Sequence, residues 1–390
     1  MRILFVTNTY TPYSGGVISS IVTTTEELRN QGHDVHIISL KFLSRHDDPE
    51  YVTRIYCPIR FMYKKNHMAI PWMPYRAVHA AIVSYRPDII HIHHPFFLGR
   101  YAAYNAHIYG IPSVFTYHTL YEEYSHYVPM PFFIMRPLIS LLVNNFCTLV
   151  DGIIAPSSSI YTLIRKKNIL IPIEIIPSPL KRSFLTTSET SAVDSTYFDL
   201  LFVGRFAKEK NIPFVLEVCQ LLPPCVRLTL IGYGKEYESL RSLAFNTLHI
   251  SCNRVRFIYK PTQEELMSFY KTSHLFIFPS RSDTQGIVLG EALSQGLPVV
   301  ALDGPGQRDI ISNGINGFII ENAQDAVSVI LTIINNPDLY NTLVKGALLS
   351  SQRFHPYPLT NKLLSFYNTI INNKSYQKNS VVLHNKKEKQ

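Results

Sequence analysis

The sequence predicts an α/β protein with two doubly wound parallel sheets, one following the other along 390 residues. Short apolar runs alternate with longer helix-like segments from the start of the chain, and strands separated by helices pair in parallel through right-handed crossovers. The pattern begins again after a stretch rich in Ser and Thr that ends at residue 196. A chain of this length accommodates two ordinary domains.

In the first half, apolar runs of four or five residues predict strands, and a longer periodic segment predicts a helix. The helix covers residues 19–31 and ends at Gly32. A second apolar stretch, 130–150, contains two prolines, an arginine and two asparagines, so we interpret it as a buried or interfacial helix and not as a membrane span. The predicted strands are residues 3–7, 35–39, 89–93, 113–117, 152–155 and 173–176.

The second half repeats the alternation from a new first strand at residues 200–203. Helices are predicted over 213–222 and 262–271, and another begins near Gly286. The remaining predicted strands are 227–231, 255–258, 275–278 and 298–301. We therefore expect domains at residues 1–180 and 181–372, followed by a polar, basic and disordered tail at 373–390.

The formal net charge of +9 comes from 37 Lys and Arg against 28 Asp and Glu. The predicted second domain is nearly balanced, with 17 basic and 16 acidic residues, so the excess lies in the first domain and the tail. Residues 51–86 contain six basic side chains, Trp72 and other aromatic residues, and no acid. This segment suits an anionic membrane surface, and the alternative is a soluble enzyme with a basic loop. A nucleic-acid binder is disfavoured, because no recognised binding motif is present.

The five cysteines are odd in number and show neither CxxC spacing nor histidines at metal-site intervals. We therefore expect reduced thiols and a cytoplasmic protein. The apolar run after Met1 and Arg2 is only four residues long, which is too short for the core of a signal peptide. Hydrophobic residues at 46% and charged residues at 17% exclude a disordered chain.

Gly15 and Gly16 lie between the first predicted strand and the first helix. Glycine at this place lets backbone amides approach an anion closely, although a plain strand-to-helix turn also explains the pair. The spacing differs from GxGxxG, so the dinucleotide-binding fingerprint is absent.

Histidines follow two predicted strands of the first half. His118 either contacts a ligand or donates to a nearby carbonyl. His91, His93 and His94 form a run that could suggest a metal site. Because alternation along a strand separates neighbours and no carboxylate lies nearby, packing or hydrogen bonding is the favoured interpretation of that run.

In the second half, Arg205 and Lys210 follow a buried strand. Two cations there can hold a diphosphate, Arg as a fork and Lys as a point charge, or they can be solvated surface charges. Gly232 follows the next strand and, with Gly234, leaves space beside it.

Asp283 and Glu291 flank the predicted start of a helix and are eight residues apart. Both carboxylates can point into one cleft and accept hydrogen bonds from sugar or ribose hydroxyls. Alternatively, Asp283 caps the helix and Glu291 lies on its surface. The amides between them, at the positive end of a helix, suit a phosphate group. They belong to Thr284, Gln285, Gly286, Ile287 and Val288.

Taken together and in this order, these segments resemble the retaining glycosyltransferases of family 4, whose GT-B architecture has two facing Rossmann-like domains and an interdomain cleft. The resemblance covers residues 1 to about 367. It rests on Gly15-Gly16, Thr116-Tyr117-His118, Ala155-Pro156-Ser157, Gly204-Arg205 with Lys208-Glu209-Lys210, Gly232-Tyr233-Gly234, the loop from Asp283 to Glu291, Gly296-Leu297-Pro298, and Asn313-Gly314 with Asn316-Gly317-Phe318.

The resemblance implies a nucleotide-sugar in the second domain, with Arg205 and Lys210 on the diphosphate and Glu291 on the ribose. Asp283 stands where the family has a glutamate that touches the transferred sugar. Residues 284–288 would donate amides, Gly232 would line the site, and 257–260 would lie near the nucleobase. The acceptor would bind the first domain, from which Gly15, Gly16 and His118 approach.

The family retains anomeric configuration and needs no metal or other cofactor, which implies a front-face displacement in which Arg205 and Lys210 stabilise the leaving diphosphate. Two departures stand out: Asp283 is one methylene shorter than the family glutamate, and residues 176–180 lack the usual glycine and acid after the proline.

Residues 94–99, 116–124 and 283–286 look like those of bacterial enzymes that glucosylate diacylglycerol, which work at membrane surfaces with UDP-glucose. We therefore expect glucose transfer from UDP-glucose to a lipid such as diacylglycerol, at the inner face of the cell membrane. The alternatives are glycan transfer in polysaccharide or lipopolysaccharide assembly with another donor, or a catalytically silent scaffold.

Overall fold

The chain divides into two units. The computed structural model describes residues 1–13, 15–42, 47–63, 66–123, 132–185 and 196–387. The first unit comprises Met1–Pro179 and Pro356–Gln390, and the second comprises Leu180–His355. The chain therefore leaves the first unit, builds the second, and returns to the first.

Strands and helices alternate through both units, as the apolar pattern predicts. The strands are β1 (Arg2–Val6), β2 (Asp34–Leu40), β3 (Val52–Ile55), β4 (Ile59–Tyr63), β5 (Asn66–Ile70), β6 (Ile89–Ile92), β7 (Ser113–Thr116), β8 (Gly152–Ala155), β9 (Ile173–Ile175), β10 (Phe198–Val203), β11 (Val226–Gly232), β12 (Val255–Tyr259), β13 (Leu275–Phe278), β14 (Val299–Leu302) and β15 (Gly317–Ile320). The helices are α1 (Gly16–Asn30), α2 (Pro74–Tyr85), α3 (Leu98–Tyr109), α4 (Phe132–Cys147), α5 (Ser158–Lys166), α6 (Ile212–Leu221), α7 (Tyr237–Ser242), α8 (Gln263–Thr272), α9 (Ile287–Ser294), α10 (Gln307–Ile310), α11 (Ala323–Ile334), α12 (Pro337–Ser351) and α13 (Pro356–Lys387).

The first unit is built on a parallel sheet of order β3-β2-β1-β6-β7-β8-β9. Alternate residues of β1 enter different cores: Leu4 and Val6 pack into one, and Ile3 and Phe5 into the other. Both faces of the sheet are therefore buried, as in a doubly wound fold. An antiparallel hairpin, β4-β5, lies between β3 and α2 in sequence and was not predicted.

The second unit repeats the design with the order β12-β11-β10-β13-β14-β15, again parallel throughout. Leu200 and Phe202 of β10 pack into one core and Leu201 into the other. The predicted fold class, with two Rossmann-like halves, is confirmed. In each sheet the strand order reverses beside the first strand, at β1/β6 and at β10/β13, where such sheets bind ligands.

The structure differs from the predicted organisation at the end of the chain. Residues 356–372 were assigned to the second domain, but α13 belongs to the first unit. Phe366, Tyr367 and Ile370 join the core that contains Phe5. The chain is helical as far as Lys387 instead of disordered after 372, and Lys374 Nζ lies 2.6 Å from Asp151 Oδ2. Burial of its apolar side chains against the first sheet explains why α13 returns there.

Candidate active site

Three loops of the second unit are joined at the carboxyl ends of β10, β13 and β14. The Ser280 hydroxyl donates to the Glu209 carbonyl at 3.1 Å, and Asn211 Nδ2 donates to the Pro279 carbonyl at 3.4 Å. The buried Gln307 amide donates to the Ser280 carbonyl. These bonds fix the loops at the point where the strand order reverses, so the predicted residues there are held close together.

Lys210 and Asp283 form an ion pair across these loops. Lys210 Nζ lies 2.6 Å from Asp283 Oδ1 and 2.8 Å from Oδ2, and both side chains are less than one-fifth exposed. Burial would raise the pKa of the Asp283 carboxyl, but the Lys210 ammonium, with smaller contributions from Ser280 and Arg205, holds that pKa below its usual value. The carboxylate is therefore ionised at neutral pH.

Arg205 is paired within its own loop. Its guanidinium donates to Glu209 Oε1 at 2.9 Å, across the one-turn 3₁₀ helix formed by residues Lys208–Lys210. The Glu209 side chain is almost fully buried, whereas that of Arg205 is 38% exposed. An anion reaching this loop would meet a guanidinium that is already oriented by a carboxylate.

Glu291 lies in the second turn of α9, and one of its oxygens accepts a hydrogen bond from the Tyr270 hydroxyl at 2.9 Å. Burial raises the pKa of Glu291, and the Tyr270 hydrogen bond opposes that rise. The residue at the start of α9 is Gly286, in the left-handed conformation at φ 73°. The alternative that Asp283 caps this helix therefore does not hold, because its carboxylate is on Lys210.

The segment before and at the start of α9 is partly enclosed. Thr284 and Gln285 are buried, and Gly286, Ile287 and Val288 are half-buried. Gly306 approaches this segment so closely that a Cβ on it would lie 2.5 Å from the Gln285 carbonyl carbon. The backbone of the segment is therefore fixed from outside.

Gly232 allows a close approach between two loops. A Cβ on Gly232 would lie 1.8 Å from the Gly204 carbonyl oxygen, and one on Gly234 would lie 2.2 Å from the Phe206 carbonyl oxygen. Sequence reasoning assigned these glycines to open space beside the strand. The structure gives them a further role, since only glycine lets the loop that carries Arg205 lie this close.

In the first unit, the predicted glycines lie where the sequence placed them. Gly15 has φ 154° and directly precedes α1, which begins at Gly16. A Cβ on Gly15 would meet nothing within 4 Å, so the space in front of this helix is open.

The histidines of the first unit gather after β6 and β7. His91 Nε2 lies 2.6 Å from Thr116 Oγ1, and its Nδ1 lies 2.5 Å from the Tyr367 hydroxyl. His93 Nδ1 lies 2.9 Å from His118 Nε2. Burial lowers the pKa of His91 to about 3 and that of both His93 and His118 well below 6.5. All three imidazoles are therefore neutral at pH 7.

His94 is also held by hydrogen bonds, since the Asn8 amide donates to its Nδ1 at 3.3 Å. The side chains of His91, His93 and His94 are therefore all held by hydrogen bonds. Within the described ranges, no three His, Cys, Asp or Glu side chains are arranged to hold a metal ion.

The structure thus brings Arg205, Lys210, Asp283 and Glu291 into one unit beside residues 284–288, while Gly15, Gly16 and His118 belong to the other unit. Sequence reasoning did not select the partners that hold these side chains. Glu209 carried a weak signal, because it stands between two lysines of the quoted motif. Tyr270, Gln307 and His93 carried none, because their role depends on which strands are neighbours.

Two family models match the chain, one for each half. The model described as Glycosyltransferase Family 4 matches residues 14–182, and the one described as Glycosyl transferases group 1 matches residues 184–348. The chain belongs to this family of glycosyltransferases.

Alpha-monoglucosyldiacylglycerol synthase of Streptococcus pneumoniae is 31% identical over 359 residues, which cover 87% of this chain and 80% of that protein. The Acholeplasma laidlawii protein of the same name is 26% identical over 376 residues, which cover 91% of this chain and 93% of that protein. Among solved structures, sucrose-phosphate synthase from Thermosynechococcus elongatus has a TM-score of 0.81 at 17% identity and covers 95% of this chain and 99% of its own. The last likeness concerns the fold, which is GT-B.

Proposed function

We propose that this glycosyltransferase moves glucose from UDP-glucose to a membrane lipid such as diacylglycerol, with retention of anomeric configuration. The names of the two relatives support the sugar and the acceptor, since both matches extend over most of each protein. The observation that carries the donor site is the pairing of Lys210 with Asp283 where the strand order of the second sheet reverses.

In this proposal Arg205 and Lys210 bind the diphosphate, because both are cations already oriented by carboxylates in the loops after β10 and β13. Glu291 accepts hydrogen bonds from the ribose, and Asp283 accepts them from the glucose. The backbone at Thr284, Gln285, Gly286, Ile287 and Val288 donates to sugar and phosphate oxygens, and Gly232 lines the site. In the first unit, His118, Gly15 and Gly16 are the residues proposed to contact substrate.

Retention would follow from attack by the acceptor hydroxyl on the face from which UDP departs. The bond between C1 of glucose and the phosphate oxygen breaks, the bond from C1 to the acceptor oxygen forms, and the acceptor proton passes to the leaving phosphate. Arg205 and Lys210 stabilise the charge that develops on that phosphate. This route uses neither a metal ion nor another cofactor.

A lipid acceptor requires contact with a membrane, and the first unit has a surface suited to it. We call α2, α3 and α4 the acid-free face, because these three helices contain no Asp or Glu. They are neighbours: Tyr75 of α2 contacts the rings of Tyr101 and Tyr104 on α3, and the Arg100 guanidinium lies 3.4 Å from Asn145 Oδ1 on α4.

The acid-free face exposes many apolar side chains. On the inner side of α4, Met135, Ile139 and Val143 are buried. On its outer side, Phe133 is 76% exposed and Leu141 is 65% exposed. A helix that is apolar all round is normally covered on both sides. Further exposed apolar and aromatic residues on or beside this face are Trp72, Met73, Tyr75, Tyr101, Tyr104, Ile108, Tyr109, Ile134, Leu138 and Leu142.

Charge favours an anionic bilayer as the cover. The charged side chains of the three helices are Arg76, Arg100 and Arg136, and Arg136 is paired with Glu123 at 3.0 Å. Arg76 and Arg100 are therefore the cations counted here, and each contributes about 1 kcal/mol near an anionic surface. No helix in the described parts of the chain has the length and hydropathy needed to cross a bilayer. In this proposal the contact is peripheral, with α4 lying in the interface on the cytoplasmic leaflet.

The test mixes the purified chain with UDP-glucose and anionic vesicles containing diacylglycerol, and follows UDP release and the anomeric NMR signal of the product. An α-glucolipid supports the full proposal, and a β-glucolipid overturns retention. Turnover only with a soluble glycan acceptor would overturn the lipid claim. If GDP raised the unfolding temperature more than UDP did, the claim that the donor carries UDP would be overturned.

Two variants distinguish an active enzyme from a catalytically silent scaffold. Asp283→Asn and Glu291→Gln are each expected to lower turnover at least about tenfold, since each removes a charged hydrogen-bond acceptor from the substrate. Turnover equal to that of the parent in both variants would remove these residues from the catalytic site.

A further inference from the structure

His93 and His118 are coupled through their imidazole rings. His93 directly follows β6, and His118 lies two residues beyond β7 in the neighbouring strand. His93 Nδ1 and His118 Nε2 are 2.9 Å apart, the ring centroids are 5.2 Å apart, and the ring planes differ by only 24°. This geometry is that of a hydrogen bond between two side chains on adjacent strands.

A hydrogen bond between two neutral imidazoles links their tautomers, because one nitrogen must carry the proton and the other must be bare. If His118 donates from Nε2, its Nδ1 is an acceptor. If His93 donates from Nδ1, the proton of His118 is on Nδ1, which is then a donor. The direction of this hydrogen bond therefore decides whether the other nitrogen of His118 is a donor or an acceptor.

The surroundings of His93 hold its ring in place. The side chain is 2% exposed, the Phe5 ring meets it edge-on at 4.8 Å, and the His91 ring lies 4.1 Å away between centroids. Its Nε2 is buried and has no hydrogen-bond partner among the residues that the structure describes. The contact with His118 is thus the one side-chain hydrogen bond the structure records for His93.

His91 provides the contrast. It is as deeply buried as His93, but its two nitrogens reach Thr116 and the Tyr367 hydroxyl of α13, so its hydrogen bonds join β7 and α13 to β6. His91 and His93 therefore have different hydrogen-bond partners, although sequence reasoning gave both the same interpretation, packing or hydrogen bonding.

We propose that His93 is a positioning residue for His118: it orients the His118 ring and fixes its tautomer for contact with substrate. The proposal rests on the function proposed above, because the contact between His118 and substrate comes from there. In this proposal the buried polar side chain of His93 serves to orient His118 and does not only fill space in the core.

The kinetic test is a double-mutant cycle. His93→Phe keeps the ring and removes both nitrogens, and we expect kcat for UDP release to fall about tenfold with KM for UDP-glucose changed less than about twofold. His93→Asn places an amide near the former Nδ1 and should recover most of the loss. In a His118→Ala background, His93→Phe should cause no further loss.

Full kcat in His93→Phe, or an equal further loss in the His118→Ala background, would overturn the proposal, because a structural residue would act independently of His118. Thermal unfolding of each variant confirms that it is folded. His91→Phe is the matched control, expected to lower the unfolding temperature without entering the cycle with His118.

The second arm needs no substrate and therefore remains decisive if the proposed reaction fails. In protein labelled with ¹⁵N-histidine, the two imidazole ¹⁵N signals absent from His118→Ala belong to His118. They should report one neutral tautomer in the parent and in His91→Phe, and a mixture of both tautomers in His93→Phe. An unchanged pair of signals in His93→Phe would sink the proposal.

Discussion

Asp283 and Glu291 show how two carboxylates of one unit receive different environments. The Lys210 ammonium keeps the pKa of Asp283 below its usual value against the effect of burial, whereas burial raises the pKa of Glu291 beside a neutral hydroxyl. The first is an anion paired with a cation that the proposed diphosphate would share. One oxygen of the second accepts from the Tyr270 hydroxyl, which would orient the carboxylate for the proposed ribose contact.

Lys210→Met is expected to lower turnover about 100-fold, because it removes the cation that the proposed mechanism places on the leaving phosphate. It also leaves Asp283 buried without its counter-ion, which raises the pKa of that carboxyl. Steady-state UDP release measures the effect. Lys208→Met is the control, since Lys208 belongs to the same 3₁₀ turn and is exposed. Equal losses in both variants would mean that general positive charge, not the placed ammonium, is responsible.

His91 provides a pH-dependent stability effect whose sign follows from its lowered pKa. The unfolded chain binds a proton at this residue below pH 6.5, while the folded protein does so only near pH 3, so stability is lost as pH falls below 6.5. From pH 7 to pH 5 the loss is about 2 kcal/mol for this group. His91→Asn should therefore lose about 2 kcal/mol less than the parent over that range, measured by urea unfolding. An identical pH dependence in both proteins would contradict the neutral, buried assignment.

At the scale of elements, strands were the most predictable part of the fold. β8 and β13 lie at the residues predicted, because they are fully buried parallel strands whose apolar runs are continuous. The hairpin β4-β5 was missed, because residues 59–70 mix basic, aromatic and polar side chains without clean alternation. The sequence of this segment indicated a basic surface, but only the structure shows the hairpin.

The outer side of α4 gives a prediction about membrane binding. Leu141→Asp should weaken sedimentation of the chain with anionic vesicles at least about tenfold, since it removes an apolar side chain from the interface and adds a negative charge. Leu170→Asp is the control: Leu170 is 89% exposed in the first unit but lies outside the acid-free face. Equal vesicle binding by the parent and both variants would reject α4 as the contact.

At the scale of the whole molecule, the two units divide the charge unequally. Residues 180–355 contain 16 basic and 16 acidic residues, so the first unit, with the returning C-terminal segment, carries the whole excess of +9. The predicted boundary at residue 372 assigned part of α13 to the second domain, so it did not show that the second unit is neutral. Sequence reasoning could not place α13, because its contacts are remote: Tyr367 meets His91 across 276 residues of chain.

The unequal charge predicts two different responses to salt. Raising NaCl from 50 to 500 mM shortens the screening length about threefold, so vesicle binding by the first unit should fall several-fold. The proposed UDP binding would depend on a few placed cations in a neutral unit, so it should change less than vesicle binding does. Vesicle sedimentation and UDP thermal shift across the same salt series compare the two. A larger effect on UDP would show that general charge, and not the placed side chains, attracts the nucleotide.

The candidate site was predictable in its residues but not in its pairings. Arg205, Lys210, Asp283 and Glu291 could be selected because cations and carboxylates follow buried strands, and the loops after parallel strands meet at one edge. That Lys210 pairs with Asp283, 73 residues away, depends on β13 being the neighbour of β10. Only the sheet order establishes that.

The return of α13 also sets an order for folding during synthesis. Phe366 and Ile370 pack against Gly152 of β8, where even a Cβ would lie within 2.9 Å of them, so the first unit lacks part of its core until the ribosome has passed residue 370. The second unit is a single continuous segment and has all its residues earlier. We therefore expect the part of the protein that is made second to reach its final packing first.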